Sequence, residues 1–290
     1  MRQRIIGSAA GREGRPAQAE GAVMVMSSLS ADLRAEGAAL HAFIAGLTAS
    51  DWTRPGPFKQ WTVSEVLQHL MVGDWFNFLA ISAPERFDSI MAARRVAREA
   101  GAPRTSGVET LDQAPGEGHT LLDSWMRGLL RLCDLFASCE PRQRMRWVGP
   151  DMSVRSAATA RLMETWAHGQ DVYDLMRVRR PAFDRIRHIA VLGVNTYGWT
   201  FANRGLEPPG PPPRVELTAP SGALWSWNDV QADNRISGAA VDFCHVVTQG
   251  RNIAEVSLDV VGAPAKAWMS IAQCFAGTPE DPPAPGERGW

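Results

Sequence analysis

From Ser28 onward apolar residues recur three and four positions apart: Leu29, Leu33, Ala38, Leu40, Phe43, Ile44 and Leu47 mark one face of a first helix over 28–49. Residues 51–61 (DWTRPGPFKQW) interrupt the period with two prolines and a glycine and read as a loop. Thr62 stands three residues before Glu65, the arrangement of a capping box, and predicts a second helix to about residue 81. Val66, Leu67, Leu70, Val72, Trp75 and Phe78 make that helix apolar on most sides, which places it inside a bundle. His69 lies within it, and Gly73 clears space one turn further on. A third series, Leu121, Leu122, Trp125, Leu129, Leu132, Leu135 and Phe136, predicts a helix over 117–139 that Pro141 ends. Ser153 or Ser156 caps a fourth, running to about 176. Between the second and third helices, residues 84–116 keep no period, and no element is assigned there.

Beyond Pro181 the pattern changes. A further helix is expected over 183–203, followed by the proline cluster 208–213 (PPGPPP), which reads as a stiff linker. Short alternating segments then predict strands over 215–218, 223–227, 235–237 and 256–260 and helices over 240–248 and 263–275. The expected organisation is a disordered Gly-, Ala- and Arg-rich extension over 1–26 and a helical bundle over 27–180. A connecting helix and linker (181–213), a small α+β domain (214–277) and a loose tail (278–290) complete it.

One polar stripe runs through this apolar frame. In RLMETWAHGQDVYD (161–174), Glu164 and His168 stand four residues apart on one helix face, with Arg161 a turn before and Asp171 a turn after. Leu162, Met163, Trp166, Val172 and Leu175 make the rest of the helix apolar, so the stripe points inward. A buried carboxylate without a partner costs several kcal/mol, and a divalent cation held between Glu164 and His168 would offset that cost. Taken alone the spacing also fits an ordinary ion pair, and His69 alone fits a satisfied core histidine.

Composition narrows the partners. At 290 residues, with 45% hydrophobic residues and 11 Trp, the chain can bury two cores. A net charge of −1 gives no reason to expect nucleic acid or an anionic membrane as partner, so a small-molecule substrate is expected, on a monomer or homodimer. The sequence shows neither a run of about 20 apolar residues nor the apolar middle of a signal peptide, which predicts a cytoplasmic protein. Cys133, Cys139, Cys244 and Cys274 form no C-x-x-C pair and read as reduced core thiols.

Two motifs carry a resemblance. Trp61-Thr62 with His69-Leu70 on the second helix, and E-T-W-x-H-G-x-D from Glu164 to Asp171 on the fourth, resemble the mycothiol-dependent maleylpyruvate isomerase family of the DinB-like superfamily, especially its metal-binding relatives. GAAVDFCHVVTQGRN (238–252) and AWMSIAQCFAG (267–277) are similar to the sterol-carrier-like C-terminal domain of that group. The resemblance implies an α plus α+β fold: a DinB-like four-helix bundle followed by a small α+β sterol-carrier-like domain. It implies a metal site at His69, Glu164 and His168, with zinc as the ion and mycothiol as a possible thiol cofactor. The implied activity is a metal-dependent isomerase or S-transferase acting on a small electrophilic carboxylate or carbonyl compound. A thiolate would add to an activated double bond and be eliminated after rotation, or would remain attached.

Around that site Asp171 is either the acceptor for the second N–H of a ligating imidazole or a helix-surface charge, and Arg161 orients Glu164, binds an anionic substrate or forms a structural salt bridge. Arg251 matches the arginine implicated in the family's catalysis, although Gly250 stands where relatives often carry a second basic residue. His245 reads as a helix-core histidine, and His41, His119 and His188 have no partner spacing. The rival expectation is a non-catalytic metal- or apolar-ligand-binding protein, whose metal would be closed by a fourth protein ligand.

Overall fold

The computed structural model describes residues 14–288 apart from residue 104, with side chains described from Met24 onward. Four long helices, α1 (Gly14–Ile44), α2 (Val63–Ser82), α4 (Gly118–Ser138) and α5 (Val154–Met176), form a bundle, and α3 (Pro84–Glu99) lies against α2. α1 and α2 each pack on both α4 and α5, so the four helices enclose one core. Leu33, Leu40, Leu67, Leu70, Trp125, Leu129 and Leu162 are fully buried there. Each such side chain contributes about 1.5–3 kcal/mol relative to exposure. Gly37 brings α1 close to α4, because a Cβ at that position would overlap the Leu129 side chain.

α1 is longer at its start and shorter at its end than its pattern predicts. Met26 is fully buried and continues the spacing of Leu29 and Leu33, and the helix begins at Gly14, within the stretch expected to be disordered; residues 1–13 of that stretch lie outside the described residues. The helix stops at Ile44, before Thr48, whose N–H and hydroxyl both donate to Asp51 (2.9 and 2.6 Å). These local bonds compete with helical ones. α2 opens on the expected box: the Glu65 N–H donates to Thr62 Oγ1 (3.2 Å) and the Thr62 N–H to Glu65 Oε2 (2.8 Å).

α3 occupies part of the stretch to which the sequence assigned nothing. Pro84 presets its first turn, and Phe87 is its buried residue, edge-on to Phe76 at 6.2 Å and stacked on Trp147 at 6.5 Å. The two-residue strands β1 (Arg144–Met145) and β2 (Met152–Ser153) pair antiparallel and lead into α5, where Ser153 Oγ accepts from the Ser156 N–H at 3.1 Å.

The second unit begins with α6 (Arg187–Asn195) and α7 (Tyr197–Ala202), two pieces where one helix over 183–203 is expected. They part at Thr196, whose hydroxyl donates to the Leu192 and Gly193 carbonyls, both at 2.9 Å. Strands β3 (Arg214–Thr218), β4 (Leu224–Trp227), β5 (Arg235–Ala239) and β6 (Leu258–Val261) form one sheet in the order β4-β3-β5-β6, with β3 and β5 parallel and the other pairs antiparallel. α8 (Ala240–Val247) covers β3 and β5, and α9 (Ala263–Met269) packs on β6. α9 ends six residues before its expected limit, because the chain turns back so that the Cys274 N–H can donate to the Val247 carbonyl at 2.9 Å. This is the α plus α+β architecture expected.

α6 joins the two units by packing on α5 and on α8. Gly193 permits that approach, since a Cβ there would stand 2.9 Å from Phe243 and Val247 side-chain atoms. The segment after Gly277 has no regular structure but is held down, not loose: Gln249 Nε2 donates to the Glu280 carbonyl (2.8 Å) and Asn252 Nδ2 to the Pro283 carbonyl (2.8 Å). The Gly286 N–H donates to Glu255 Oε1 at 2.9 Å. No helix among the described residues is long and apolar enough to cross a membrane.

Candidate metal centre

The capped first turns of α2 carry His69, half-buried, to a cavity wall where α5 presents Glu164 and His168. His69 Nε2 lies 3.1 Å and His168 Nε2 3.4 Å from the same Glu164 oxygen, Oε2. One nitrogen from each imidazole and one carboxylate oxygen fall within 4.8 Å of one another, a grouping that could hold a metal ion. The imidazole rings meet edge to face at 4.5 Å.

Burial acts against every charge in this cluster, and pairing decides the outcome. Burial favours the neutral acid of Glu164, but hydrogen bonds from His168 and His69 outweigh it and hold the carboxyl well below its usual range. Burial likewise opposes an imidazolium at His168, yet the Asp171 and Glu164 carboxylates lift its pKa to about 9. At His69 burial prevails over the Glu164 contact and lowers the pKa. Without an ion, then, a proton on His168 supplies the positive charge that two carboxylates require.

Asp171 stands where the sequence places it, with Oδ2 at 3.1 Å from His168 Nδ1. Arg161 does not reach Glu164. It is buried in an ion pair with Asp74 of α2, Nε to Oδ1 at 3.0 Å, and donates from Nη2 to the Leu70 carbonyl at 3.2 Å. Asp74 also accepts from Trp125 Nε1 at 3.1 Å, which ties α2, α4 and α5 together beside the site. Gly73 is needed here: a Cβ would overlap the Arg161 guanidinium. Arg161 thereby fixes α2 relative to α5 at the residue following His69.

Arg251 also binds a carboxylate on α5. Its Nη1 and Nη2 donate to the two oxygens of Asp174 (2.7 and 2.6 Å), a bidentate pair joining the second unit to the bundle. It does not line the cavity that holds His69, Glu164 and His168. His245 faces Trp166 at 4.8 Å on the other side of α5, and burial together with Arg251 and Arg180 lowers its pKa to about 3. The cysteines are free thiols, and burial raises the pKa of Cys133 to about 12 and pushes Cys244 and Cys274 up as well.

The three candidate ligands open onto a cavity of about 200 Å³. Phe58, Trp61, Met163, Ala167 and Phe275 give it apolar walls, and Lys59, Gln249, Glu280 and Arg288 supply the polar rim. Trp61 stacks on His168 at 5.5 Å, and Phe58 lies tilted against it at 5.2 Å. Between these aromatic residues the backbone is left-handed twice in succession, at Lys59 (φ 48°) and Gln60 (φ 60°), and again at Gln249 (φ 57°). Side chains other than glycine adopt this conformation at a cost, and such residues cluster at functional sites. Arg288 and Glu280 lie in the Pro- and Gly-rich stretch after Gly277, where no periodicity marks them. Phe58 was visible as an aromatic residue in a loop, but nothing linked it to His168.

The family model for the mycothiol maleylpyruvate isomerase N-terminal domain matches residues 33–173, a span that contains His69, Glu164 and His168. Two curated proteins of Mycobacterium tuberculosis, the uncharacterized proteins MT0041 (strain CDC 1551 / Oshkosh) and Rv0036c (strain ATCC 25618 / H37Rv), are each 41% identical over 249 residues. The alignment covers 86% of this chain and 95% of the relative. Among solved structures, the crystal structure of the mycothiol-dependent maleylpyruvate isomerase matches with a TM-score of 0.51 at 13% identity, covering 83% of this chain and 95% of that one. At that identity the likeness is one of fold.

Proposed function

The chain belongs to the mycothiol maleylpyruvate isomerase N-terminal domain family, and from that membership we propose that it is a metal-dependent enzyme of the maleylpyruvate isomerase type. His69, Glu164 and His168 would hold one divalent ion. The observation that carries this reading is the meeting of two imidazole nitrogens and one carboxylate oxygen within 4.8 Å at the wall of a cavity. Nitrogen and oxygen donors in a set of three favour zinc with an open position, the arrangement of catalytic rather than structural sites. A structural ion would call for a fourth protein ligand, and the nearby Asp171 carboxylate is engaged with His168 Nδ1 instead. When bound, such an ion polarises a carbonyl and lets a coordinated thiol lose its proton near neutral pH.

The protein's own groups set the conditions for that chemistry. Asp171 accepts the Nδ1–H of His168 and so leaves the Nε2 lone pair directed at the site. Trp61 and Phe58 wall off water on the His168 side, which strengthens electrostatic interactions inside. The cavity suits a small electrophilic compound bearing a carboxylate or carbonyl, converted by thiol-dependent isomerisation or thiol transfer, with mycothiol as the thiol the family name points to.

Metal analysis of protein purified without added ions, followed by an isomerase assay with maleylpyruvate in the presence and absence of mycothiol, tests the reading. About one equivalent of zinc is expected, lost in Glu164→Gln and His168→Ala. Wild-type protein that takes up no divalent ion would overturn the proposal.

A further inference from the structure

Arg288 enters the cavity from the far end of the chain and differs from the other cations nearby. Its Nη1 donates to the Gln249 carbonyl at 2.9 Å, and its guanidinium lies over the Phe58 ring, 4.3 Å from the centroid. The same ring faces His168 at 5.2 Å, so a single aromatic side chain spans from a guanidinium to a candidate metal-ligating imidazole. Lys59, also on the cavity rim, is neutralised by Glu280 at 3.2 Å, and Arg251 by Asp174 at 2.6 Å. Among the described residues no carboxylate lies within ion-pair distance of Arg288, although the side chain is half-buried.

The position of this arginine is built by the fold. The segment that carries it is fastened to the second unit by Gln249, Asn252 and Glu255, and Arg204 pairs with Asp281 at 2.8 Å. The Phe58 ring beneath it and the Gln249 carbonyl position the guanidinium, and among the described residues only Nη1 is engaged, which leaves the Nε and Nη2 edge for a bidentate carboxylate. A half-buried guanidinium to which the described residues bring no carboxylate favours a ligand that supplies one.

We propose that Arg288 anchors the carboxylate of a small-molecule ligand, so that the cavity takes compounds with a carboxylate at the Phe58 end and a metal-directed thiol or carbonyl at the other. The inference rests on the metal-centre reading above and adds to it the class of ligand and the residue that selects it. Arg288 is a binding residue here, distinct from Arg251, whose fork is occupied by Asp174.

The test uses cobalt(II)-loaded protein titrated with 3-mercaptopropionate and with the neutral 3-mercapto-1-propanol, read by the thiolate-to-cobalt absorption band, with cobalt content measured separately. The wild type should bind the carboxylated thiol about tenfold or more tightly than the neutral one, the scale of one good charge-assisted contact. Arg288→Gln should lose that preference while keeping its cobalt content and its affinity for the neutral thiol; Arg288→Lys should retain part of it. No preference in the wild type, or a preference that survives in Arg288→Gln, would overturn the proposal. If the wild type binds no cobalt, the metal reading fails instead. Calorimetric titration of the metal-free protein with 3-mercaptopropionate then decides the anchor alone: binding lost in Arg288→Gln supports it, and no binding or unchanged binding sinks it.

Discussion

Asp171 and His168 are coupled through the imidazole nitrogen that faces away from the cluster: Oδ2 lies 3.1 Å from Nδ1, while Nε2 stays within 3.4 Å of Glu164. The carboxylate thereby chooses the tautomer and orients the ring. Asp171→Asn should lower metal affinity about 10- to 100-fold while the protein stays folded, as removal of such outer partners generally does. Competition for zinc against a calibrated chelator, alongside circular dichroism, checks both halves of the expectation.

Metal uptake should be steeply pH-dependent. The metal-free His168 has its pKa raised to about 9, so a proton must leave before the imidazole can bind an ion. Apparent affinity should therefore rise by about tenfold per pH unit through the neutral range and level off near pH 9, with about one proton released per ion bound. Calorimetry in buffers of different ionisation enthalpy counts that proton; an affinity flat between pH 6 and 8 would contradict the assignment.

Arg161 and Asp74 form the buried pair that holds α2 to α5, with side chains 5% and 3% exposed. Arg161→Met leaves the Asp74 carboxylate uncompensated inside the bundle, where burial already favours its neutral form. A loss of about 3–5 kcal/mol is expected, with much of it recovered when Asp74→Asn is added, because the charge is then gone. Urea denaturation of the two single variants and the double variant measures the coupling. Gly73→Ala should destabilise through the same pair, since the added methyl displaces the guanidinium.

His245 predicts an acid-sensitive fold. Its folded pKa is lowered to about 3 by burial and by Arg251 and Arg180, whereas the unfolded chain titrates near the ordinary value of 6.5. Below that ordinary value the unfolded state binds the proton more readily. The stabilisation from the neutral ring is thus present above pH 6.5 and is lost as pH falls towards 3, by up to about 1.4 kcal/mol per pH unit. His245→Gln should flatten this part of the stability profile; thermal melts between pH 7 and 4.5 provide the comparison.

Much of this architecture could be read from the sequence because its signals are local. The Thr62–Glu65 box fixed the start of α2, and the four-residue spacing of Glu164 and His168 placed both side chains on one face of α5. α3 escaped notice because Phe87 is its one buried residue and its arginines obscure any period. Thr196 looks like any helix residue until its hydroxyl is seen bonding the preceding turn. Asp74 is legible in principle, because a lone carboxylate within an apolar helix needs a cation, and Arg161 supplies it. Arg251 was expected at the chemistry, but its partner Asp174 lies 77 positions away, and no periodicity connects them. Arg288 depends on one backbone carbonyl, that of Gln249, and on the Phe58 ring, partners from distant segments that leave no pattern near position 288.

All three candidate ligands precede residue 177, whereas Thr248, Gln249, Phe275, Glu280 and Arg288 complete the surrounding wall. During translation the candidate ligands therefore leave the ribosome before the residues that close this side of the cavity. The last hundred or so residues then build the enclosure. The chamber of about 200 Å³ thus exists only once Thr248, Gln249, Phe275, Glu280 and Arg288 have joined the bundle.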